Sequence, residues 1–311
     1  MQISSIYYSV FSISIMIIIG VIAVKARIVT QKGVSVLTNL VFNVTLPALV
    51  FSSMVTTYKK EMFFSSFYLP VFAIVNLLIV NYFLAAIFSK ILKIEKEQKN
   101  IFLFMATFEN YTYLPLPLAG MLYGEQGILF VLLFTFAGDI LIWTLGIKLF
   151  NNNLKPFSLG IFSNMGIISL LLGFLFAVLS DSVKLPDIII KPLIAVGSTT
   201  LPLAMIMTGG ILAGTKIKDV KAMLLDKKIV WLTLLKIIIT PVIIFLLTGL
   251  FNMDPIVKAV IVLEASMPCA FVSIIFCNQY KKDTKFAAVG VLDTTIISLL
   301  TIPVFLYMLN M

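Results

Sequence analysis

Long apolar stretches recur along this chain, separated by short polar segments rich in lysine. They fall near residues 3–24, 34–57, 64–89, 101–122, 126–149, 157–179, 188–213, 229–250, 256–277 and 286–309. About 20 helical residues cross a hydrocarbon core of ~30 Å. The pattern therefore predicts an all-α integral membrane protein with ten transmembrane helices. The first stretch does not read as a signal peptide: no positive residue precedes it, it runs too long, and it lacks a small-residue cleavage site.

Two of the ten stretches are interrupted. One holds Glu109-Asn110-Tyr111-Thr112-Tyr113-Leu114-Pro115-Leu116-Pro117, the other Glu264-Ala265-Ser266-Met267-Pro268. Each places a carboxylate just ahead of a helix breaker at membrane depth. Irregular backbone and charge are tolerated there only where they line a protein-enclosed or water-filled site. Matched interruptions in two halves of a membrane chain point to the binding site of a secondary transporter.

The polar segments set the orientation. The loops after the first, third, fifth, seventh and ninth stretches hold 17 lysines and arginines, whereas the alternate loops hold five. Positive residues stay on the cytoplasmic side, so both termini are expected outside the cell membrane. Lys236 lies within a stretch, and Arg27 is the sole arginine.

Composition narrows the chemistry. Hydrophobic residues make up 60% of the chain and charged residues 12%, with a mean hydropathy of +1.10. The net charge of +9 resides in loop lysines between apolar spans, which argues against a nucleic-acid partner. There is no histidine, so the commonest general base and metal ligand is missing. No nucleophile–base pair and no phosphate-binding loop occurs, so an enzyme or an ATP-driven pump is not indicated. Cys269 and Cys277 share one span and read as small packing residues rather than a bridge.

An internal repeat is visible at an offset of 155 residues. Thr45-Leu46-Pro47-Ala48 corresponds to Thr200-Leu201-Pro202-Leu203, Glu109 to Glu264, and Asp139 to Asp293 within one residue. Five spans per half place the halves in opposite orientations, residues 1–150 and 157–311. The connector Asn151-Asn152-Asn153-Leu154-Lys155-Pro156 reads as a loop.

Candidate site chemistry follows from the broken spans. A proline removes one helical hydrogen bond and strands the carbonyl four residues earlier. Pro115, Pro117 and Pro268 are therefore expected to free the carbonyls of Tyr111, Tyr113 and Glu264. Freed carbonyls coordinate cations, and the following half-helix offers its positive end to an anion. The plainer alternative is a simple proline kink. Asn110 offers both donor and acceptor, either to substrate or to a neighbouring helix. Glu109 and Glu264 are expected to be protonated or neutralised by a cation, with Na+ or H+ as the coupling ion; the alternative is a pair of neutral core glutamates. Asp139 and Asp293 either extend a proton route or brace the crossover by accepting its backbone N–H groups. Lys236 is expected to pair with Asp293 or Glu264, or else to meet a substrate carboxylate. Asn43, Thr45 and Pro47, with Thr199, Thr200 and Pro202, supply either a polar wall facing the site or packing contacts. Gly210 and Gly214 suit a close helix contact.

These residues carry a family resemblance. Asn110…Leu116-Pro117-Leu118…Leu122-Tyr123-Gly124-Glu125 is similar to the crossover motif of the auxin efflux carrier family, the bacterial relatives of plant PIN-type carriers. Met267-Pro268…Tyr280, Asn43…Leu46-Pro47-Ala48-Leu49 and Pro202-Leu203-Ala204-Met205 with Gly210 and Leu212-Ala213 extend the match over essentially the whole chain. The chain departs from many relatives at Val272-Ser273, where they carry a second polar or proline residue in the crossover. The resemblance implies a fold shared with bile-acid symporters and sodium/proton antiporters. Spans one, two, six and seven would form a scaffold, and spans three to five and eight to ten a moving transport domain. It further implies substrate contacts at Asn110, Tyr111, Pro115, Pro117, Pro268 and Ser273, with Asn43, Thr45, Thr200 and Lys236 nearby. Glu264 resembles the sodium-binding glutamate of bile-acid symporters, which makes Glu264 and Glu109 the expected Na+ ligands. Bacterial relatives are linked to dicarboxylates such as malate or malonate, and the auxin carriers to an aromatic monocarboxylate. The expectation is a secondary carrier of a small organic anion, embedded in the lipid bilayer as a homodimer; the alternative is a cation/proton exchanger of the same fold without an organic substrate.

Overall fold

Helices account for every regular element in the computed structural model, which describes residues 3–57, 68–112, 114–150, 165–178, 185–214 and 226–309. Each of the ten apolar stretches is largely helical where it is described, with breaks at 108–112 and 266–271. They comprise α1 Ile3–Lys25, α2 Gln31–Leu40, α3 Leu46–Thr57, α4 Tyr68–Ile91, α5 Lys96–Thr107, α6 Pro115–Leu141, α7 Met165–Val178, α8 Asp187–Ser198, α9 Thr200–Ala213, α10 Lys227–Leu234, α11 Thr240–Gly249, α12 Pro255–Ala265, α13 Val272–Gln279 and α14 Thr284–Met308. Six helical spans among the described residues are long and apolar enough to cross a membrane. The connector around Asn151, Tyr113 and several loop lysines lie outside the described residues.

The helices are interrupted where chemistry requires it. Wide π-type turns at Val41–Thr45 and Leu235–Ile239 precede Pro47 and Pro241 by two residues. A proline ring clashes with the carbonyl four residues back, and a wider turn relieves that clash. Asp254 caps α12, accepting from the N–H groups of Ile256 and Val257 at 2.8 and 3.2 Å, and Pro255 follows at the first helical position, where no donor is lost. Gly124 takes a left-handed conformation, φ 62°, so the chain doubles back. Gly127 then abuts the Ala119 carbonyl so closely that any Cβ would collide with it. This reversal separates the spans expected at 101–122 and 126–149.

Packing divides the helices into two groups. In one, α1 lies along α9, and α3 packs against α7 and α8. In the other, α4 meets α5, α6 and α12, α11 meets α12, and α14 meets α10, α12 and α13. The groups touch where α1 meets α6 and α14, and where α3 meets α6. The largest buried aromatic side chains lie in the second group: Phe102, Phe104, Phe134, Phe276 and Phe286, all fully buried. Cys269 and Cys277 are buried and free, as packing residues.

Candidate functional site

The site is built where the two broken helices cross. The chain leaves α5 in an extended conformation at Phe108 (φ −103°, ψ 131°) and re-enters helix at Pro115, the first residue of α6. The segment after α12 is likewise non-helical up to Phe271. The two stretches then pair with each other. Asn110 N–H donates to the Pro268 carbonyl at 2.9 Å, and Ala270 N–H donates to Phe108 at 3.0 Å. Together these form an isolated antiparallel bridge between Glu109 and Cys269. Backbone groups buried in an apolar protein must find partners, and each broken helix satisfies the other.

This pairing corrects the expected supply of free carbonyls. The Glu264 carbonyl accepts from Met267 N–H at 3.1 Å. The Tyr111 carbonyl accepts from the Thr135 hydroxyl at 2.7 Å. Pro115 stands at the start of α6 rather than inside a helix, where its missing N–H strands no carbonyl.

Bracing of the crossover also falls to other residues than expected. Cys269 N–H donates to the Thr294 hydroxyl at 3.2 Å, and that hydroxyl donates to the Gly290 carbonyl at 2.7 Å. Asp293, one residue earlier on α14, instead accepts from Thr233 at 2.6 Å. Asp139, half-buried on α6, is itself the counterpart of Thr294 in the 155-residue repeat. Asp293 stands one residue from Thr294, and such a displacement rotates a helical side chain by about 100°, so Asp293 does not share the direction in which Thr294 meets the bridge. Replacing Thr294 with valine removes the acceptor for a buried N–H and should destabilise the protein by roughly 1–3 kcal/mol. Thermal unfolding in detergent checks this; an unchanged midpoint would show that the bridge needs no brace.

The charged centre of the crossing is an ion pair. Lys236 Nζ lies 2.5 Å from Glu109 Oε1, and both side chains are fully enclosed. The pairing expected with Asp293 or Glu264 is thus made with Glu109. Asn81, on α4, completes the shell. Its amide donates to the same Glu109 oxygen and to the Thr107 carbonyl, and its own oxygen accepts from the Thr240 hydroxyl at 2.7 Å. Sequence reasoning passed over Asn81 and Thr240, although Asn81 precedes Lys236 by the repeat offset of 155.

Glu264 is different. It is wholly buried, and neither carboxyl oxygen has a hydrogen-bond partner. Glu109 Oε2 and the Tyr111 hydroxyl are buried without partners as well. All three residues lie within electrostatic reach of one another. The ring of Tyr111 is held against Gly138 of α6, where a Cβ would strike it.

The scaffold-side residues separate into two sets. Thr45 and Thr200 are buried with unpartnered hydroxyls. Thr200 lines a narrow cleft together with Val41, Leu46, Thr112, Leu116, Pro117, Leu201 and Ala204. That cleft has room for about one water molecule but not for an organic anion. Asn43 is exposed and donates back to the Asn39 carbonyl at 3.0 Å, away from the crossing. Ser273 is buried near the start of α13 with an unpartnered hydroxyl.

A hard cation takes several oxygen ligands, backbone carbonyls prominent among them. Here the carbonyls of Thr107, Phe108, Tyr111, Glu264 and Pro268 already accept hydrogen bonds, and an ammonium occupies one oxygen of Glu109.

Comparison with known proteins agrees with this architecture. A family model described as a membrane transport protein matches residues 5–164 and 157–306. The chain belongs to that family, the auxin efflux carrier-like membrane transporters. It is also 24% identical over 304 residues to an uncharacterized transporter of Methanocaldococcus jannaschii, spanning 94% of this chain and 95% of that protein. The protein is therefore a multi-pass membrane transporter.

Proposed function

We propose that this transporter is a secondary active carrier of a small organic anion, a carboxylate, working by elevator-type alternating access. The observation that carries the reading is the crossing of two broken helices, with the N-terminal ends of α6 and α13 beside it. Such ends are positive and attract anions, and discontinuous helices crossing in the membrane interior are the usual substrate site of secondary transporters.

Further features support the mechanism. The offset of 155 residues relates Glu109 to Glu264, Thr45 to Thr200 and Asn81 to Lys236, as two inverted five-helix repeats require. The group containing both broken helices would move as the transport domain, and the group of α1, α2, α3, α7, α8 and α9 would stay as the scaffold. Thr45 and Thr200 would present their unpartnered hydroxyls to the passing solute. The narrow cleft between the groups corresponds to an occluded position, so substrate entry requires the groups to shift. Lysine-rich loops place both termini outside the cell membrane, and the assembly would be a homodimer. A cation or proton would neutralise the carboxylates when the anion binds.

Purified protein in liposomes, tested with radiolabelled mono- and dicarboxylates, decides the matter. Saturable uptake of at least one carboxylate is expected. Uptake of cations in exchange for protons, with no carboxylate moved, would replace this reading with the exchanger.

A further inference from the structure

We propose that the lysine-rich end of the helix group carrying the crossing is a docking surface for acidic phospholipid headgroups, centred on Lys93 and Lys281. The proposal depends on the membrane placement of these loops and not on which solute is carried.

The backbone singles these residues out. Among the described residues, the non-glycine residues with positive φ are Arg27, Lys93 and Lys281, at 58°, 49° and 51°. They follow the ends of α1, α4 and α13. At Lys93 and Lys281 the chain closes the helix by wrapping back on it. Ile94 N–H donates to the Ser89 carbonyl at 3.1 Å, and Lys282 N–H to the Cys277 carbonyl at 2.8 Å. Such caps hold the preceding residue in the left-handed region, where glycine is the usual occupant and asparagine the next. A side chain with a Cβ is disfavoured there, yet a basic residue stands at all three positions. Attraction to the negative helix end does not require it, since Lys25 and Lys90 already occupy the last turns of α1 and α4.

Tertiary contacts bring two of the three together. Gln98, in the first turn of α5, donates to Asp283 Oδ2 at 2.7 Å and accepts from Lys228 Nζ at 2.5 Å. The loops after α4 and α13 and the start of α10 therefore meet at one end of the group. The aspartates at this junction are occupied. Asp283 also accepts from Phe286 N–H at 3.0 Å, and Asp226 accepts from Lys228 N–H at 2.8 Å. Exposed around the junction are Lys90, Lys93, Lys96, Lys227, Lys281 and Lys282, against Glu95 and Glu97. The face is strongly positive.

The neighbours identify the occupant. Ile87 and Ile91 on the last turns of α4, and Val230 on α10, are exposed as well. Exposed apolar side chains one turn from exposed lysines mark the boundary between hydrocarbon and headgroups, where lysine keeps its ammonium in water. A cytoplasmic leaflet containing acidic lipid presents phosphates at that level. A free anion would gain nothing from the apolar neighbours, whereas a lipid covers both. Because the face lies on the group proposed to move, headgroup contact favours the position that keeps it at the inner surface.

Thermal unfolding of the purified full chain in neutral micelles, titrated with phosphatidylglycerol, phosphatidylcholine or glycerol phosphate, tests the proposal. Phosphatidylglycerol should raise the midpoint, because a ligand of the folded form stabilises it, and the other two should not. In Lys93→Gly, Lys281→Gly the lipid needed for the same rise should increase on the order of tenfold or more, at about fivefold per lysine. Without lipid, this variant should unfold at or above the wild-type midpoint, since glycine adopts the left-handed conformation freely. Lys93→Asn, Lys281→Asn should match its weakened lipid response. Lys191→Gln, which removes an exposed lysine paired with Asp187 on α8, should respond as the wild type. An equal rise with phosphatidylcholine or glycerol phosphate overturns the proposal, as does an unchanged lipid response in the double variants. So does their unfolding below the wild type without lipid, which would assign the lysines to the helix ends themselves.

Discussion

Lys236→Met will leave the protein destabilised by about 3–5 kcal/mol, the usual consequence of removing one partner from a buried ion pair. The ammonium lies 2.5 Å from Glu109 with no exposure to solvent on either side chain. Without it, a carboxylate would stand in an apolar core without its cation, with the Asn81 amide as its close donor. Since folded proteins are stable by only about 5–15 kcal/mol, a sharp loss of folded material in detergent is expected. The companion change separates charge from packing. Adding Glu109→Gln to Lys236→Met removes the orphaned charge, and Asn81 still has an amide oxygen to bond. Most of the lost stability should return, giving a coupling energy of up to ~3 kcal/mol in a double-mutant cycle. Denaturation of the four proteins in micelles measures it. Additive losses would mean that the pair is not held in the folded protein.

Gly209→Val will break the contact between α1 and α9. A Cβ at Gly209 would overlap the Ile17 carbonyl of α1, and one at Gly20 would overlap the Ile206 carbonyl of α9. The two glycines thus let the backbones touch from both sides, as small residues do in membrane helix pairs. Backbone cannot rotate out of the way as a side chain can, so the helices must separate, at a cost of about 1–3 kcal/mol or more. Gly249→Val is the control, because a Cβ there meets nothing within 4 Å. Folded yield and monodispersity should fall for the first and hold for the second. Equal behaviour of the two variants would refute the close approach.

Much of this was legible in the chain because membrane burial writes itself into local pattern. Apart from the breaks at 108–112 and 266–271, the apolar stretches are essentially helical where described, since backbone in hydrocarbon bonds within its own segment wherever it can. The interruptions at Pro115 and Pro268 were equally plain, because proline lacks a donor wherever it stands. The partners of the broken ends were not legible. Pro268 bonds Asn110 across 158 residues, and no local rule sets such a distance.

The site residues divide along the same line. Glu109, Glu264 and Lys236 stood out as charges in apolar surroundings, yet the choice of Glu109 over Glu264 for the lysine depends on how the wide turn at Leu235–Ile239 faces the crossing. Asn81 and Thr294 were missed because an amide or hydroxyl in a membrane helix is common; only their contacts mark them. Asn43 carried a family motif but turns back to Asn39 on an exposed face.

The sequence by itself determined the helical membrane architecture, the places where helices break and the presence of three ionisable side chains, Glu109, Lys236 and Glu264, in apolar spans. Hydrophobicity and proline chemistry act over a few residues and need no knowledge of the fold. The tertiary structure alone decided which broken end satisfies which, which carboxylate holds the lysine and which is left without a partner. Those outcomes depend on side chains more than a hundred residues apart meeting in a dry interior, where each polar atom must find a partner among the few within reach.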